Sequence, residues 1–184
     1  MKKITLLAFT GCLALLSFKS LGQSNFKLGY GLLGVSGQGS SQQYQGIDIT
    51  YEHALKEPYS LGLFASYHWY SISGLFSSGT ATVFTIQPEF KYYFGQRLEG
   101  FYIGAEVAYH IFGSEFNSSG VGTSTSSSGY FGLGALLGYQ VNLGGDFGLN
   151  LTAGAGGIIV PNSYTKQTNF YSKYNLGVQL CNKF

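Results

Sequence analysis

From Phe26 onward apolar and polar residues alternate with a period of two, and no stretch keeps a helical period over the roughly 11 residues a helix would need. The segment 80–94 is the clearest. Phe84, Ile86, Pro88, Phe90, Tyr92 and Phe94 fall on one parity, and Val83, Thr85, Gln87, Glu89, Lys91 and Tyr93 on the other. The next segment repeats the pattern, with Phe101, Ile103, Ala105, Val107, Tyr109 and Ile111 set against Tyr102, Gly104, Glu106, Ala108, His110 and Phe112. Read this way, the chain predicts strands over 26–36, 43–55, 59–71, 80–94, 101–112, 129–143, 147–160 and 171–184. The class is all-β, and the strand count, eight, is even.

The connections alternate in length. Gln38 to Gln42, Ile72 to Gly79, Gly113 to Ser128 and Pro161 to Phe170 are longer and rich in Ser, Gly, Thr and Asn, whereas Lys56 to Pro58, Gly95 to Glu99 and Gly144 to Asp146 are tight turns. Long polar loops on one rim and short turns on the other are the pattern of outer-membrane barrels, with the short rim in the periplasm. The Ser-rich stretch Gly113 to Ser128 is expected to be the largest surface loop, and its composition points to mobility rather than to a fixed site.

Strands of this length exceed the ~9–11 residues that cross the hydrocarbon layer at a tilt. In lipid no backbone group can go unpaired, so a spanning sheet must close on itself. These constraints predict an eight-stranded antiparallel up-and-down transmembrane β-barrel. With the apolar parity facing lipid, the lumen receives Asp48, Glu52, His68, Glu89, Lys91, Glu106, His110, Gln140, Asn150 and Gln179, together with Lys27 and Lys173. Eight strands enclose only enough space for side chains to fill, and buried charge is costly unless paired. A lumenal network is therefore expected in which Lys91 and Lys27 neutralise some of Glu52, Glu89 and Glu106. Inward glycines such as Gly29, Gly31, Gly104 and Gly134 suit a narrow, strongly curved sheet. Outward aromatics gather in two belts, Tyr67, Trp69 and Tyr109 toward the long-loop rim and Tyr51, Tyr59, Tyr92 and Phe94 toward the short-turn rim.

The first residues change the charge. Met1-Lys2-Lys3, an apolar run from Ile4 to Phe18 and then Ser20-Leu21-Gly22 read as a signal peptide over 1–22, leaving a barrel domain over 23–184. Phe9-Thr10-Gly11-Cys12 loosely resembles a lipoprotein box, the less favoured reading. The 184-residue chain has ten basic and eight acidic residues; losing Lys2, Lys3 and Lys19 leaves seven against eight, a formal charge of −1 in place of +2. At 10% charged and 17% aromatic, the chain fits neither a disordered segment nor a nucleic-acid binder. Cys181 remains as a single thiol, which makes no intrachain disulfide.

Several motifs point elsewhere and are set aside. Gly29-Tyr30-Gly31-Leu32-Leu33-Gly34 matches a dinucleotide fingerprint letter for letter, but it lies within the first strand with no helix behind it. His68 and His110 share the lumenal parity, with Ser71, Ser114 and Glu115 nearby in sequence, the groups a barrel-embedded lipid A deacylase or acyltransferase would use. The His-x-Ser spacing of that deacylase family is absent. His53 belongs at the periplasmic rim, and no Cys/His spacing supports zinc. No catalytic, cofactor-binding or metal-binding residues are assigned.

The last strand alternates Tyr174, Leu176, Val178 and Leu180 with Asn175, Gly177, Gln179 and Cys181, and ends at Phe184. A terminal aromatic closing such a strand resembles the signal read by the barrel assembly machinery. Together with Pro88-Glu89-Phe90-Lys91-Tyr92-Tyr93-Phe94 and Gly100-Phe101-Tyr102-Ile103-Gly104-Ala105-Glu106, it makes residues 24–184 similar to the small outer membrane protein beta-barrel domain family, the group of the OmpA transmembrane domain and OmpX. The resemblance implies a bacterial outer-membrane location, outer-membrane lipid and the assembly machinery as partners, and a monomer. With no peptidoglycan-binding domain after Phe184, the OmpA tethering role is not expected. The leading expectation is a non-enzymatic barrel acting in envelope integrity or surface interaction through its extracellular loops, with no nucleic acid and no cofactor. A narrow channel for ions or small solutes is the alternative. A soluble, lipocalin-like barrel with the aromatic parity turned inward is a third reading.

Overall fold

The computed structural model describes residues 23–184 apart from 38, 74–76, 97, 119–121 and 162–167. The expected leader, including Cys12, lies outside the described residues. Eight strands follow in chain order: β1 Ser24–Gly37, β2 Ser40–Ala54, β3 Tyr59–Ser73, β4 Ser77–Tyr93, β5 Gly100–Ser118, β6 Gly122–Gly144, β7 Phe147–Pro161 and β8 Thr168–Lys183. Each pairs antiparallel with the next, and β1 pairs with β8, so the barrel is closed. The closing seam runs from Asn25↔Lys183 to Ser36↔Ser172. Mutual backbone bonds between Ser24 and Phe184, at 3.0 and 2.9 Å, fasten the seam at its lower end.

The alternation has one outcome along every strand. The polar parity points inward and is buried, as in Lys27, Asp48, Glu52, Glu89 and Gln179, while the aromatic and aliphatic parity points outward, with Leu28 51% and Leu180 64% exposed. This orientation removes the lipocalin-like reading, because the apolar set is on the outside. Outward rings form a nearly continuous belt at the short-turn rim. Tyr59 stacks on Phe90 at 5.5 Å, Tyr92 meets Phe94 at 5.0 Å and Phe94 meets Phe101 at 5.4 Å. Tyr67 and Trp69 lie 6.2 Å apart toward the other rim.

The short turns are built as expected. Gly144 and Gly145 both take positive φ, 120° and 60°, which L side chains rarely adopt, and so carry the chain from β6 to β7. Gly29, the first glycine of the nucleotide-like motif, serves strand packing. A Cβ there would lie 2.0 Å from the Val178 carbonyl and 2.6 Å from the Gln179 Cα. Its smallness lets β1 approach β8.

The expectation of long outer loops is corrected. Most of Gly113 to Ser128, read as the largest loop, is paired sheet: β5 runs 19 residues and β6 23, in register from Phe112↔Ser128 to Ser118↔Gly122. Ser and Thr dominate this stretch, yet Thr is at home in a strand exposed on both faces, and composition alone does not reveal pairing. β3 and β4 likewise extend to Ser73↔Ser78, and β1 and β2 to Gly37↔Ser40.

Above the barrel wall two seams lose their pairing. The last partners across β2 and β3 are Gln45↔Trp69, and across β6 and β7 they are Phe131↔Ile159. Pairing continues on either side, so the outer end divides, among the described residues, into two four-stranded flaps, β3-β4-β5-β6 and β7-β8-β1-β2.

Candidate functional site

Among the described residues the interior concentrates buried charge, so it is the first candidate site. Inward positions on five strands bring their charges together across the lumen. Lys27 Nζ of β1 lies 2.5 Å from Glu52 Oε2 of β2, and Lys91 Nζ of β4 lies 3.4 Å from the same oxygen and 2.8 Å from Glu89 Oε2. Gln87 Nε2 donates to Glu89 Oε1 at 2.8 Å and to Glu106 Oε2 at 2.7 Å. Lys173 Nζ of β8 closes the series 2.5 Å from Glu106 Oε1. Charges alternate along this series, with Gln87 bridging the two carboxylates that would otherwise repel. Glu52 also accepts from Ser60 Oγ at 2.5 Å and Tyr93 OH at 2.9 Å, so its lone pairs are met by buried protein groups.

The expected pairing holds for Lys27 and Lys91 with Glu52 and Glu89. Glu106, the carboxylate these two lysines leave over, pairs with Lys173, which β8 brings to it across the lumen. Further round, Asn150 Nδ2 donates to Gln179 Oε1 at 3.0 Å and Asn150 Oδ1 accepts from Tyr102 OH at 3.0 Å, while Gln179 Nε2 donates to Thr50 Oγ1 at 3.0 Å. Gln140 is also buried. Sequence reasoning left Gln87, Ser60, Tyr93 and Tyr102 without a role, although parity put Gln87, Tyr93 and Tyr102 on the inner face.

Apolar layers close both ends of this network. Below it, Ala54, Tyr93, Leu98, Tyr102 and Leu136 pack together. Leu98 enters from the β4–β5 turn with φ 56°, an unusual conformation for a leucine, and is 1% exposed. Above it lie Leu33, Tyr44 and Val83, with Phe112 against them. Between these layers the void beside Thr50, Glu89, Lys91, Tyr102 and Gln179 measures about 10 Å³, at most a single water.

The catalytic constellation weighed from sequence is not assembled. His110 Nδ1 bonds Thr85 Oγ1 at 2.9 Å, and Ser114 Oγ pairs with Ser126 at 2.8 Å on the outer hairpin. Ser71 and Glu115 are exposed on different strands. His68 Nε2 instead sits 3.3 Å from Asp48 Oδ1, near the buried Ser66, a group the sequence reading did not consider. All three side chains are buried inside the barrel. His53 bonds Ser24 Oγ at 2.9 Å at the short-turn rim, away from the other histidines. Among the described residues no three His, Cys, Asp or Glu side chains are placed to hold a metal ion. Cys181 is buried in β8. A larger recess of about 680 Å³ lies on the outer wall over the aligned Ala105, Ala135 and Ala155; it is apolar and faces hydrocarbon.

At the lower rim, outside the spanning segments, Lys183 Nζ donates to Glu99 Oε1, and Asn142 Nδ2 donates to the same oxygen at 3.1 Å. The Lys183 hydrogen bond holds the Glu99 carboxyl below its ordinary pKa.

Residues 12–181 match the profile of a family described as "Protein of unknown function (DUF3575)". No curated protein sequence matches the chain. Among solved structures, the attachment invasion locus protein Ail of Yersinia pestis, in complex with the heparin analogue sucrose octasulfate, superposes with a TM-score of 0.66 at 11% identity, over 89% of this chain and 99% of Ail. Neisserial surface protein A superposes with a TM-score of 0.63 at 11% identity, over 89% of this chain and all of its own (100%). The fold is that of the small outer-membrane barrels. With a closed sheet, an apolar exterior and two aromatic belts, this chain forms a transmembrane barrel of the outer-membrane type.

Proposed function

The chain belongs to the family described as "Protein of unknown function (DUF3575)", and we propose that it is a non-enzymatic, integral outer-membrane barrel whose lumen is a stabilising core and whose outer end makes surface contacts. The observation that carries this reading is the series Lys27, Glu52, Lys91, Glu89, Gln87, Glu106 and Lys173, buried and capped above and below by apolar side chains. A solute crossing the lumen would have to break several buried ion pairs at once. Work at the membrane therefore falls to the wall and the flaps.

The matched Ail structure holds a sulfated sugar. Exposed charge on the described part of the two flaps is confined to Glu115. The flaps instead present neutral Ser and Thr, suited to an uncharged partner. Residues 1–22 act in this reading as a cleaved leader, and the 23–184 barrel works as a monomer. Phe184, outward-facing and 6.4 Å from Tyr51, suits recognition by the barrel assembly machinery.

Planar-bilayer recording of the purified barrel tests the reading. A silent membrane is expected. Reproducible single-channel steps would overturn it in favour of a channel for ions or small solutes.

A further inference from the structure

The outer mouth holds a cavity that the sealed lumen does not explain. Its volume is about 210 Å³, and its walls are Val35, Tyr44, Ile158 and Tyr171 from one flap and Phe112 and Tyr130 from the other. Leu33 and Val83 lie beneath it, in the upper apolar layer. A pocket this size is smaller than the ~300 Å³ and above that encloses a whole drug-sized ligand, so it takes only the apolar end of one.

A second opening lies beside it. Where β2 and β3 part above Gln45↔Trp69, a notch of about 370 Å³ is lined by Leu32, Gln43, Tyr44, Trp69, Tyr70 and Ser71. Leu32 and Trp69 belong to the outward parity, and Trp69 stands with Tyr67 in the upper aromatic belt. The notch therefore opens sideways at the level where acyl chains meet headgroups. Tyr44 lines both spaces and separates them. Its ring makes edge contacts with Tyr70 at 6.3 Å and Phe112 at 6.4 Å, and its hydroxyl donates to Gln42 Oε1 at 2.6 Å.

We propose that the mouth cavity binds the end of an acyl chain that enters from the outer leaflet through the β2/β3 seam, past Tyr44. The chemistry along the path is amphipathic in the required order. Aliphatic and aromatic side chains form the floor and walls of the inner cavity, and Gln42, Gln43 and Ser71 offer amide and hydroxyl groups at the rim for a polar head. A polar solute would gain nothing from the inner walls, and the notch faces the bilayer, which supplies chains. The site depends on the membrane placement of the barrel but not on closure of the lumen. A conducting barrel would overturn the sealed-lumen reading and leave this site standing.

The test uses the folded barrel in phosphatidylcholine nanodiscs, methyl-labelled at Ile and Val, titrated with decanoic acid. Saturable shifts are expected for Ile158, Val35 and Val160, with nuclear Overhauser contacts from the chain to Tyr44 and Trp69. Val178, on the lipid-facing wall, should respond only in proportion to the added acid. Ile158→Gln, and the isosteric Val35→Thr should the first fail to fold, are expected to weaken the saturable response at least tenfold while leaving that of Val178 unchanged. Proportional responses spread evenly over cavity and wall methyls, or no response at the cavity, would overturn the proposal.

Discussion

Lys27 and Glu52 stand 2.5 Å apart inside the barrel, with neither side chain reaching solvent. Their backbones are diagonal neighbours on β1 and β2, where Lys27 pairs with Thr50 and Glu52 with Asn25. A buried pair of this kind contributes modestly as a pair, yet either charge left alone is costly. Glu52→Gln would leave Lys27 without its partner and weaken the hold on Lys91. It is expected to cost about 3–5 kcal/mol, read from urea unfolding in lipid vesicles. Replacing Lys27 and Glu52 together with methionine should recover most of that loss; a double variant as unstable as the single would contradict this account of the core.

The closeness of β1 and β8 makes a second expectation. At Gly29 a Cβ would meet the β8 backbone at 2.0 Å, while at Gly62 the nearest atom, Glu89 Oε2, is 3.4 Å away. Gly29→Ala is expected to lose about 1–3 kcal/mol through overpacking at the closing seam. Gly62→Ala should be nearly neutral. Heat-modified gel mobility and urea midpoints measure both, and equal effects would show that the close approach at Gly29 does not limit packing there.

Leu98 closes the lower end from a turn. Leu98→Ala removes buried contacts with Tyr93 and Tyr102 and is expected to cost about 2–5 kcal/mol. The bilayer should stay silent, since the charge network and the upper layer remain. Conductance in this variant alone would identify the turn as the barrier.

Acid should weaken the lower rim. The Glu99 carboxyl titrates below its ordinary value because Lys183 donates to it. A depressed carboxylate stabilises above the unfolded pKa of ~4.3 and loses that contribution as pH falls through the folded value. The pair is partly exposed, so its worth is within about 1 kcal/mol. Wild type should therefore exceed Glu99→Gln slightly at neutral pH and converge with it in acid. A difference that grows on acidification would reverse the sign.

Amide exchange separates a loop from a sheet in the outer hairpin. The register Glu115↔Thr125 and Asn117↔Thr123 predicts protection of paired amides there, weaker than in the barrel wall because the hairpin is exposed on both faces. Exchange at random-coil rates from Gly113 to Ser128 would restore the reading of a mobile loop.

The period-two pattern by itself determined the strand number and divided each strand into an apolar and a polar parity; only together with a membrane setting did it call for a closed sheet and put the polar parity inside, because a one-residue shift would then place every charge in lipid. His68, Glu89 and Glu106 were legible as lumenal for that reason. Partners were another matter. That Glu106 meets Lys173 rather than Lys91, and that Gln87 bridges Glu89 and Glu106, follows from strand tilt and from the distances across the lumen, which no local sequence window contains. The outer end was also decided only in three dimensions. Ser and Thr between Gly113 and Ser128 are compatible with a loop or an exposed strand, and pairing to neighbours chose the strand. Tyr44 looks in sequence like any inward aromatic. Its place between two cavities comes from the parting of β2 and β3 above Trp69, where the backbone is free to leave the sheet once water can satisfy it.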